Sequence, residues 1–211
     1  MAGTIFYLVR HPAALQKAIS EIRAKFRDVE DIHQGPDLNS LTYLRACIDE
    51  AMRLSPSVGG LLPREVLSGG IQLDGETIPA GTVVGTPHYT VHHNPAYYPQ
   101  PYAYMPERWM AGSTAGDRVF SEQDVALAQS AFCPFSIGPR GCIGKGIAYI
   151  EMTSALARLL WLYDVRAAPG DGLGQGKESN EYGRHRASEY QLIDTFTSLK
   201  DGPMVEFRKR E

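Results

Sequence analysis

The sequence predicts a mainly α-helical fold with small antiparallel β-sheets. Three observations carry that expectation. Apolar positions recur at helical spacing in three long segments; short β-prone runs joined by Gly-Gly and Asp-Gly turn signals cluster between residues 61 and 86; and a further pair of such runs lies near residue 200. With 211 residues, of which 43% are hydrophobic and 21% charged, the chain can bury a sizeable core.

From Pro12 onward, Leu15, Ala18, Ile19, Ile22 and Phe26 share one helical face, and Pro12 suits a first turn. The segment GPDLNS interrupts the pattern. Ser40 is placed to cap a second helix bearing Leu41, Leu44, Ile48 and Ala51, which Pro56 ends. LLPREVL, IQLDGETIP and TVVGT then supply a small sheet. From His88 to Arg108, proline and tyrosine predict an irregular coil packed by aromatic rings, and residues 111–131 read as a variable surface loop. After Gly144, the positions Ile147, Ile150, Ala157, Leu160 and Trp161 predict a long helix to about Tyr163. The glycine-rich, charged stretch from Pro169 to Glu189 reads as a mobile loop, after which YQLIDTFT and PMVEFR flank Lys200-Asp201-Gly202 as a hairpin.

Composition narrows the function. The formal net charge is −3 and no basic run occurs, so nucleic acid is not expected as a partner. Cys47, Cys133 and Cys142 are spaced for neither a disulfide framework nor a zinc site, and a reducing compartment is the default. No window reaches the roughly 18 consecutive apolar residues of a membrane span, and no signal-peptide core opens the chain. It reads as soluble.

The chemistry concentrates in FCPFSIGPRGCIGKG, residues 132–146. Cys142 lies where a loop enters a helix, where unpaired N–H groups and the helix dipole favour a thiolate. A thiolate there can be a nucleophile or a metal ligand, whereas a buried free cysteine is a small hydrophobe. The nearest histidines in sequence, His92, His93 and His185, show no cysteine-hydrolase arrangement. The flanking glycines allow a flat cofactor to approach the backbone, and Arg140 offers a planar fork to a carboxylate.

Phe135, Gly138, Arg140, Cys142 and Gly144, standing as FSIGPRGCIG, resemble the F-x-x-G-x-R-x-C-x-G haem-binding loop of the cytochrome P450 haem-thiolate monooxygenases. The resemblance implies that Cys142 is the axial ligand of haem b iron and that the other four residues bind the cofactor. Glu50 and Arg53, three apart in YLRACIDEAMRLSP, form at face value an exposed helical ion pair. They also resemble the family's E-x-x-R pair, which is tied to the arginine of a P-E-R-[FW] motif supplied here by MPERWM. The resemblance thus implies a buried structural triad of Glu50, Arg53 and Arg108. Arg64 in LLPREVL resembles an arginine that contacts a haem propionate, and an exposed strand arginine is an equal reading. His92, in VHHNPAYYPQP, marks a family coil and is read as packing. Val58, Leu61 and Leu62, with Phe196 and Thr197, fall where the family lines its substrate pocket, although core packing explains them equally.

The resemblance covers nearly the whole chain, with a tail similar to that of fungal members, and implies residues 1–211 to be the C-terminal portion of the P450 fold. On that reading the N-terminal half and the central helix with its acid-alcohol pair are absent, and no catalytic residue is assigned. Thr4, in MAGT, reads as an ordinary helix residue. The implied activity inserts one oxygen atom from O2 into a small apolar substrate, with electrons from NADPH through a flavoprotein reductase, in secondary metabolism. Full-length relatives are expected at the endoplasmic reticulum membrane; this chain, lacking an anchor, reads as intracellular. The competing readings are a haem-binding fragment without turnover and, less favoured, haem-dependent isomerase or dehydratase chemistry.

Overall fold

A computed structural model describes residues 1–210. Those residues form seven α-helices and five two-stranded antiparallel sheets. The chain opens with α1 (Ala2–Arg10) and α2 (Pro12–Lys25), separated at His11 because Pro12 can only begin a helix. A single turn, α3 (Pro36–Asn39), leads into α4 (Thr42–Leu54). With α7 (Lys145–Leu162), helices α1, α2 and α4 enclose the main core, where Phe6, Tyr7, Ile22, Leu44, Ile48, Leu156 and Ala157 are all but inaccessible. Each large apolar side chain buried there contributes about 1.5–3 kcal/mol. Thr4 is buried within α1, an ordinary helix residue.

The start of α4 differs from expectation. Ser40 does not cap it; its hydroxyl donates to the Asp37 carbonyl at 2.8 Å. The unpaired amides of Tyr43 and Leu44 instead donate to the two carboxylate oxygens of Glu21 on α2, at 2.8 and 2.9 Å. A carboxylate outcompetes a hydroxyl at a helix N-terminus because it also meets the positive end of the dipole.

The expected sheet between residues 61 and 86 is two separate pairs. β1 (Arg64–Glu65) pairs with β4 (Val83–Val84), while β2 (Ile71–Leu73) and β3 (Glu76–Ile78) form a hairpin about Asp74-Gly75. Part of the expected coil is helical, since α5 spans His88–His92 and a 3-10 turn spans Pro106–Trp109. Residues 111–131 are not a loop throughout. They contain a short hairpin, β5 (Thr114–Ala115) with β6 (Arg118–Val119), followed by α6 (Glu122–Ser130). Ser121 and Asp124 there exchange side-chain and backbone hydrogen bonds in a capping box, a signal legible in S-E-Q-D.

The expected terminal hairpin is also corrected. The VEFR of PMVEFR lies in β10 (Val205–Lys209), which pairs in full register with β7 (Tyr163–Ala167), a strand continuing directly from α7. The YQLIDTFT side forms its own pair, β8 (Leu192–Ile193) with β9 (Leu199–Lys200), turning at residues 194–198 and not at Lys200-Asp201-Gly202. Local bonds set that turn. The Phe196 amide donates to Asp194 Oδ1 at 3.1 Å, Thr195 Oγ1 donates to the Thr197 carbonyl at 2.7 Å, and Phe196 takes a φ of 75°. The stretch 169–189 has no regular elements but is tethered, since Arg10 reaches Asp171 at 3.1 Å and the Tyr89 hydroxyl donates to Glu189.

Glu21→Ala is expected to lower the unfolding free energy by about 1–2 kcal/mol, and Ser40→Ala to change it by less than about 0.5 kcal/mol. Urea midpoints at unchanged slope measure both; the reverse order would restore Ser40 as the cap.

Candidate functional site

The site is built on a charge cluster with almost no solvent contact. Glu50 and Arg53, three apart on α4, and Arg108, 58 positions after Glu50, are each 0–1% exposed. The Glu50 carboxylate accepts five hydrogen bonds. Arg53 Nη2, Arg108 Nε and the Met105 amide donate to Oε1 at 2.9, 3.0 and 3.0 Å; Arg53 Nε and Trp109 Nε1 donate to Oε2 at 2.9 and 3.0 Å. The spare guanidinium donors are absorbed by coil carbonyls. Arg53 reaches His92, Pro101 and Ala103 at 2.8, 2.7 and 3.2 Å, and Arg108 reaches Pro99 at 3.1 Å. The cluster therefore ties α4 to the proline-rich coil, whose carbonyls would otherwise be unpaired. Burial alone would raise the Glu50 carboxyl, but the two guanidiniums overcome it and hold its pKa below the ordinary value.

The coil in turn positions the cysteine loop. His92, fully buried, accepts a hydrogen bond on Nε2 from the Cys133 amide at 3.0 Å. Two residues on, the Phe135 carbonyl accepts from the Cys142 amide at 2.8 Å and closes the loop. The Phe135 ring lies 5.3 Å from that of Tyr149 on α7, whose hydroxyl donates to Asp49 on α4 at 2.8 Å. Within the loop, Ser136 and Gly138 adopt φ values of 60° and 68°, and Gly138–Arg140 form one 3-10 turn. The helix α7 begins at Lys145, so Cys142 stands just outside its first turn.

The loop is open on one side. Cys142 is exposed, as are Ile137 at 76%, Ile147 at 64% and Ile143 at 103%. A Cβ on Gly138 would meet nothing within 4 Å, and one on Gly144 would meet only Cys142 Sγ, at 3.7 Å. The other thiols are less accessible. Cys47 is buried, which pushes its pKa up to about 12, and Cys133 is half-buried and also raised by burial.

Two clefts flank this face. Arg64 and Arg140 line one of about 690 Å³, together with Leu62 and His88. Among the described residues no carboxylate lines that cleft, and neither guanidinium forms an ion pair; Arg64 Nη1 bonds only the adjacent Pro63 carbonyl, at 2.9 Å. Phe135 and Thr4 line a second cleft, of about 210 Å³. Cys142, Gly138 and Gly144 line neither. The segment carrying Val58, Leu61 and Leu62 lies beside that carrying Phe196 and Thr197, because the Ser198 amide donates to the Ser57 carbonyl at 2.8 Å and Asp194 lies against Gly60. Leu61 is 47% and Phe196 68% exposed, so core packing accounts for neither. Sequence reasoning missed Trp109 as a Glu50 donor, although it stands within the quoted P-E-R-W.

A buried Glu-Arg-Arg cluster bracing a glycine-flanked, solvent-facing cysteine is the arrangement that the motif resemblance to haem-thiolate proteins implies. The chain belongs to the cytochrome P450 family, whose profile matches residues 1–187. It is 50% identical to cytochrome P450 monooxygenase AKT7 of Alternaria alternata, over 99% of this chain and 40% of that protein. It is 43% identical to a cytochrome P450 monooxygenase of Gibberella zeae and to cytochrome P450 monooxygenase apf8 of Gibberella fujikuroi, in each case over 100% of this chain, covering 47% and 55% of their lengths. The chain thus spans about half the length of the relatives it matches. No helix among the described residues is long and apolar enough to cross a membrane.

Glu50→Gln is expected to destabilise the fold by about 3–5 kcal/mol, because two buried guanidiniums lose their counter-charge; a change under about 1 kcal/mol in urea titration would contradict the cluster's role. The cluster also has a pH signature. Glu50 is depressed when folded, so its contribution is complete above the unfolded carboxyl value of about 4.3 and is lost as pH falls through the folded value. Burial lowers His92 to about 3 and His93 to about 4. Unfolded histidines bind protons near pH 6.5, so stability should fall steadily as pH drops from about 6.5 towards 4. Denaturant midpoints measured across that range would be flat if these rings were not buried neutral.

Proposed function

We propose that this chain carries the haem-binding part of a monooxygenase, in which Cys142 Sγ would hold the haem iron. The observation that supports it most is the solvent-facing Cys142 in a hydrogen-bonded loop beside a cleft lined by two arginines without ion-pair partners. The residues fit the cofactor by their chemistry: a thiol for iron, open space over Gly138 and Gly144 for a flat ring, exposed isoleucines for an apolar macrocycle, and guanidinium forks for propionates. When bound, haem b supplies the O2 and one-electron chemistry, with the thiolate pushing electron density towards O–O cleavage.

The chain's own residues do the rest by holding and excluding. Arg64 and Arg140 would hold the propionates and Phe135 would pack against the cofactor, while the Cys142 amide, tied to the Phe135 carbonyl, fixes the backbone that carries the sulfur. Val58, Leu61, Leu62, Phe196 and Thr197 present a mixed, mostly apolar wall to a small apolar substrate, a secondary metabolite in this reading. In this reading the whole protein would place one oxygen atom from O2 in that substrate, with electrons from NADPH through a flavoprotein reductase. Residues 1–211 correspond in this reading to the C-terminal portion of the fold, with full-length relatives at the endoplasmic reticulum membrane. The full exposure of Ile143 supports a second reading, haem binding without turnover by this chain alone, because holding substrate and excluding water require a closed pocket.

Reduced protein under carbon monoxide is expected to show the strongly red-shifted Soret band of thiolate-ligated haem, and Cys142→Ala to lose it. Persistence of the band in that variant would remove Cys142 from the iron. Product formation with NADPH and reductase separates the two readings: turnover favours the first, and a correct spectrum without turnover the second.

A further inference from the structure

We infer that Glu189 and His93 share one proton and form a pH-sensitive latch that holds the irregular segment 169–189 against the coil around α5. Nothing in this latch depends on haem. His93 Nδ1 lies 2.8 Å from the Tyr89 carbonyl, which can only accept, so the proton of the neutral ring sits on Nδ1 and Nε2 is a bare acceptor. Nε2 faces Glu189 Oε1 at 4.0 Å. The two residues are 6% and 4% exposed, and neither His93 Nε2 nor Glu189 Oε2 has a hydrogen-bond partner among the described residues. Two acceptors with no proton between them stay apart, and each buried atom left unpaired costs about 1–3 kcal/mol. One proton turns the pair into donor and acceptor. Glu189 is otherwise well seated, since the Tyr89 hydroxyl donates to it and Arg186 Nη1 stands 3.6 Å from Oε2. The His93 ring packs on Tyr89 and Tyr102, with centroids 4.0 and 5.0 Å away, and the Arg186 guanidinium lies 3.6 Å over the Tyr102 ring. The latch therefore joins α5, the coil and the segment at one point. Tyr182 and Arg184, on the latched segment, line a cleft of about 380 Å³ together with Leu54 and Gly60, so releasing the segment removes part of that cleft's wall.

Burial is the largest influence on both groups. It raises the Glu189 carboxyl, against the Tyr89 hydrogen bond and the charges of Arg186 and His185. It lowers His93 to about 4, opposed by the Tyr89 carbonyl and Glu50 and aided by Arg53 and Arg186. Tyr7 on α1, His92 on α5 and Tyr102 in the coil are the other ionisable groups near the pair. The shared proton therefore sits on the carboxyl. Opening the latch returns both groups to ordinary values, about 4.3 for the carboxyl and about 6.5 for the imidazole. Between those values the open pair also carries one proton, and pH does not move the latch. Above about 6.5 the open pair has none while the closed pair keeps its own, so the latch weakens as pH rises, until the folded carboxyl value is passed. Below about 4.3 the open pair takes two and the latch weakens again. His92 has no carboxyl to compensate it, so its share of the fall in global stability towards acid remains.

Hydrogen exchange reads the latch directly. The Gly176 and Lys177 amides, which donate to the Arg186 and Arg184 carbonyls at 3.1 and 3.3 Å, report opening of the segment as protection factors corrected for the intrinsic pH dependence of exchange. Their protection is expected to be level from about pH 4.5 to about pH 6.5 and then to fall by up to about tenfold per pH unit, the slope of one linked proton. Glu189→Gln, whose amide donates to Nε2 at any pH, should keep protection level above about pH 6.5. His93→Phe should move the start of the fall from about pH 6.5 down to about pH 4.3, because the open state then has no imidazole to hold the proton. Protection that does not change above pH 6.5 in the unaltered protein, or that falls in Glu189→Gln as it does there, overturns the latch. A measurement without substitution guards against variants that misfold: the His93 Nε2 nitrogen resonance should move as the same proton is lost, and a constant shift between about pH 5 and pH 9 rejects a proton held between the two side chains.

Discussion

A single carboxylate organises this protein. Glu50 accepts five hydrogen bonds in a space closed to water, and every donor comes either from α4 or from the segment 105–109. Taking one carboxylate and two guanidiniums out of water is expensive, and the Coulombic gain repays it only when geometry and remaining donors are all satisfied. Here they are satisfied by the carbonyls of residues 92, 99, 101 and 103. The cluster is therefore less a source of net stability than a device that gives an irregular, proline-rich stretch one conformation. A set of apolar side chains of equal volume would leave those carbonyls without donors.

From that cluster the order passes outward along hydrogen bonds. Arg53 fixes the His92 carbonyl, the His92 ring fixes the Cys133 amide, and the Phe135 carbonyl fixes the Cys142 amide. The route links a helix of the core to a sulfur at the surface with only the short helix α5, which ends at His92, between them. Loops that carry chemistry need such bracing, since their backbones lack the ladder of a helix or sheet. His92 serves this route only as a neutral ring, because Nε2 must accept; its burial secures that state.

The helical core was largely legible in the sequence because its signal is local. The apolar faces of α2, α4 and α7 repeat at helical spacing, and the proline at position 12 marks a true boundary. The motif residues Glu50, Arg53 and Arg108 were also legible as a group, and the structure brings them together. What failed depended on distant partners. Ser40 has the right chemistry for a cap, yet Glu21, some twenty residues away, holds the position by charge. The strands near the C-terminus have sound β-patterns, but pairing is a choice between partners, and β7 offers β10 five residues in register where β9 would not. α6 was missed although its capping box is written in the sequence, because its weakly amphipathic face gave no apolar period to anchor it.

The openness of the cysteine loop has a cost for the polypeptide before any ligand covers it. Of the three thiols, Cys47 is shielded by the core and Cys133 by half, whereas Cys142 stands in solvent. Peroxide or oxidised glutathione meeting the nascent chain would find that sulfur first, and oxidation beyond the sulfenic state is irreversible. If Cys142 holds the haem iron as proposed, binding would also shield that sulfur from oxidation.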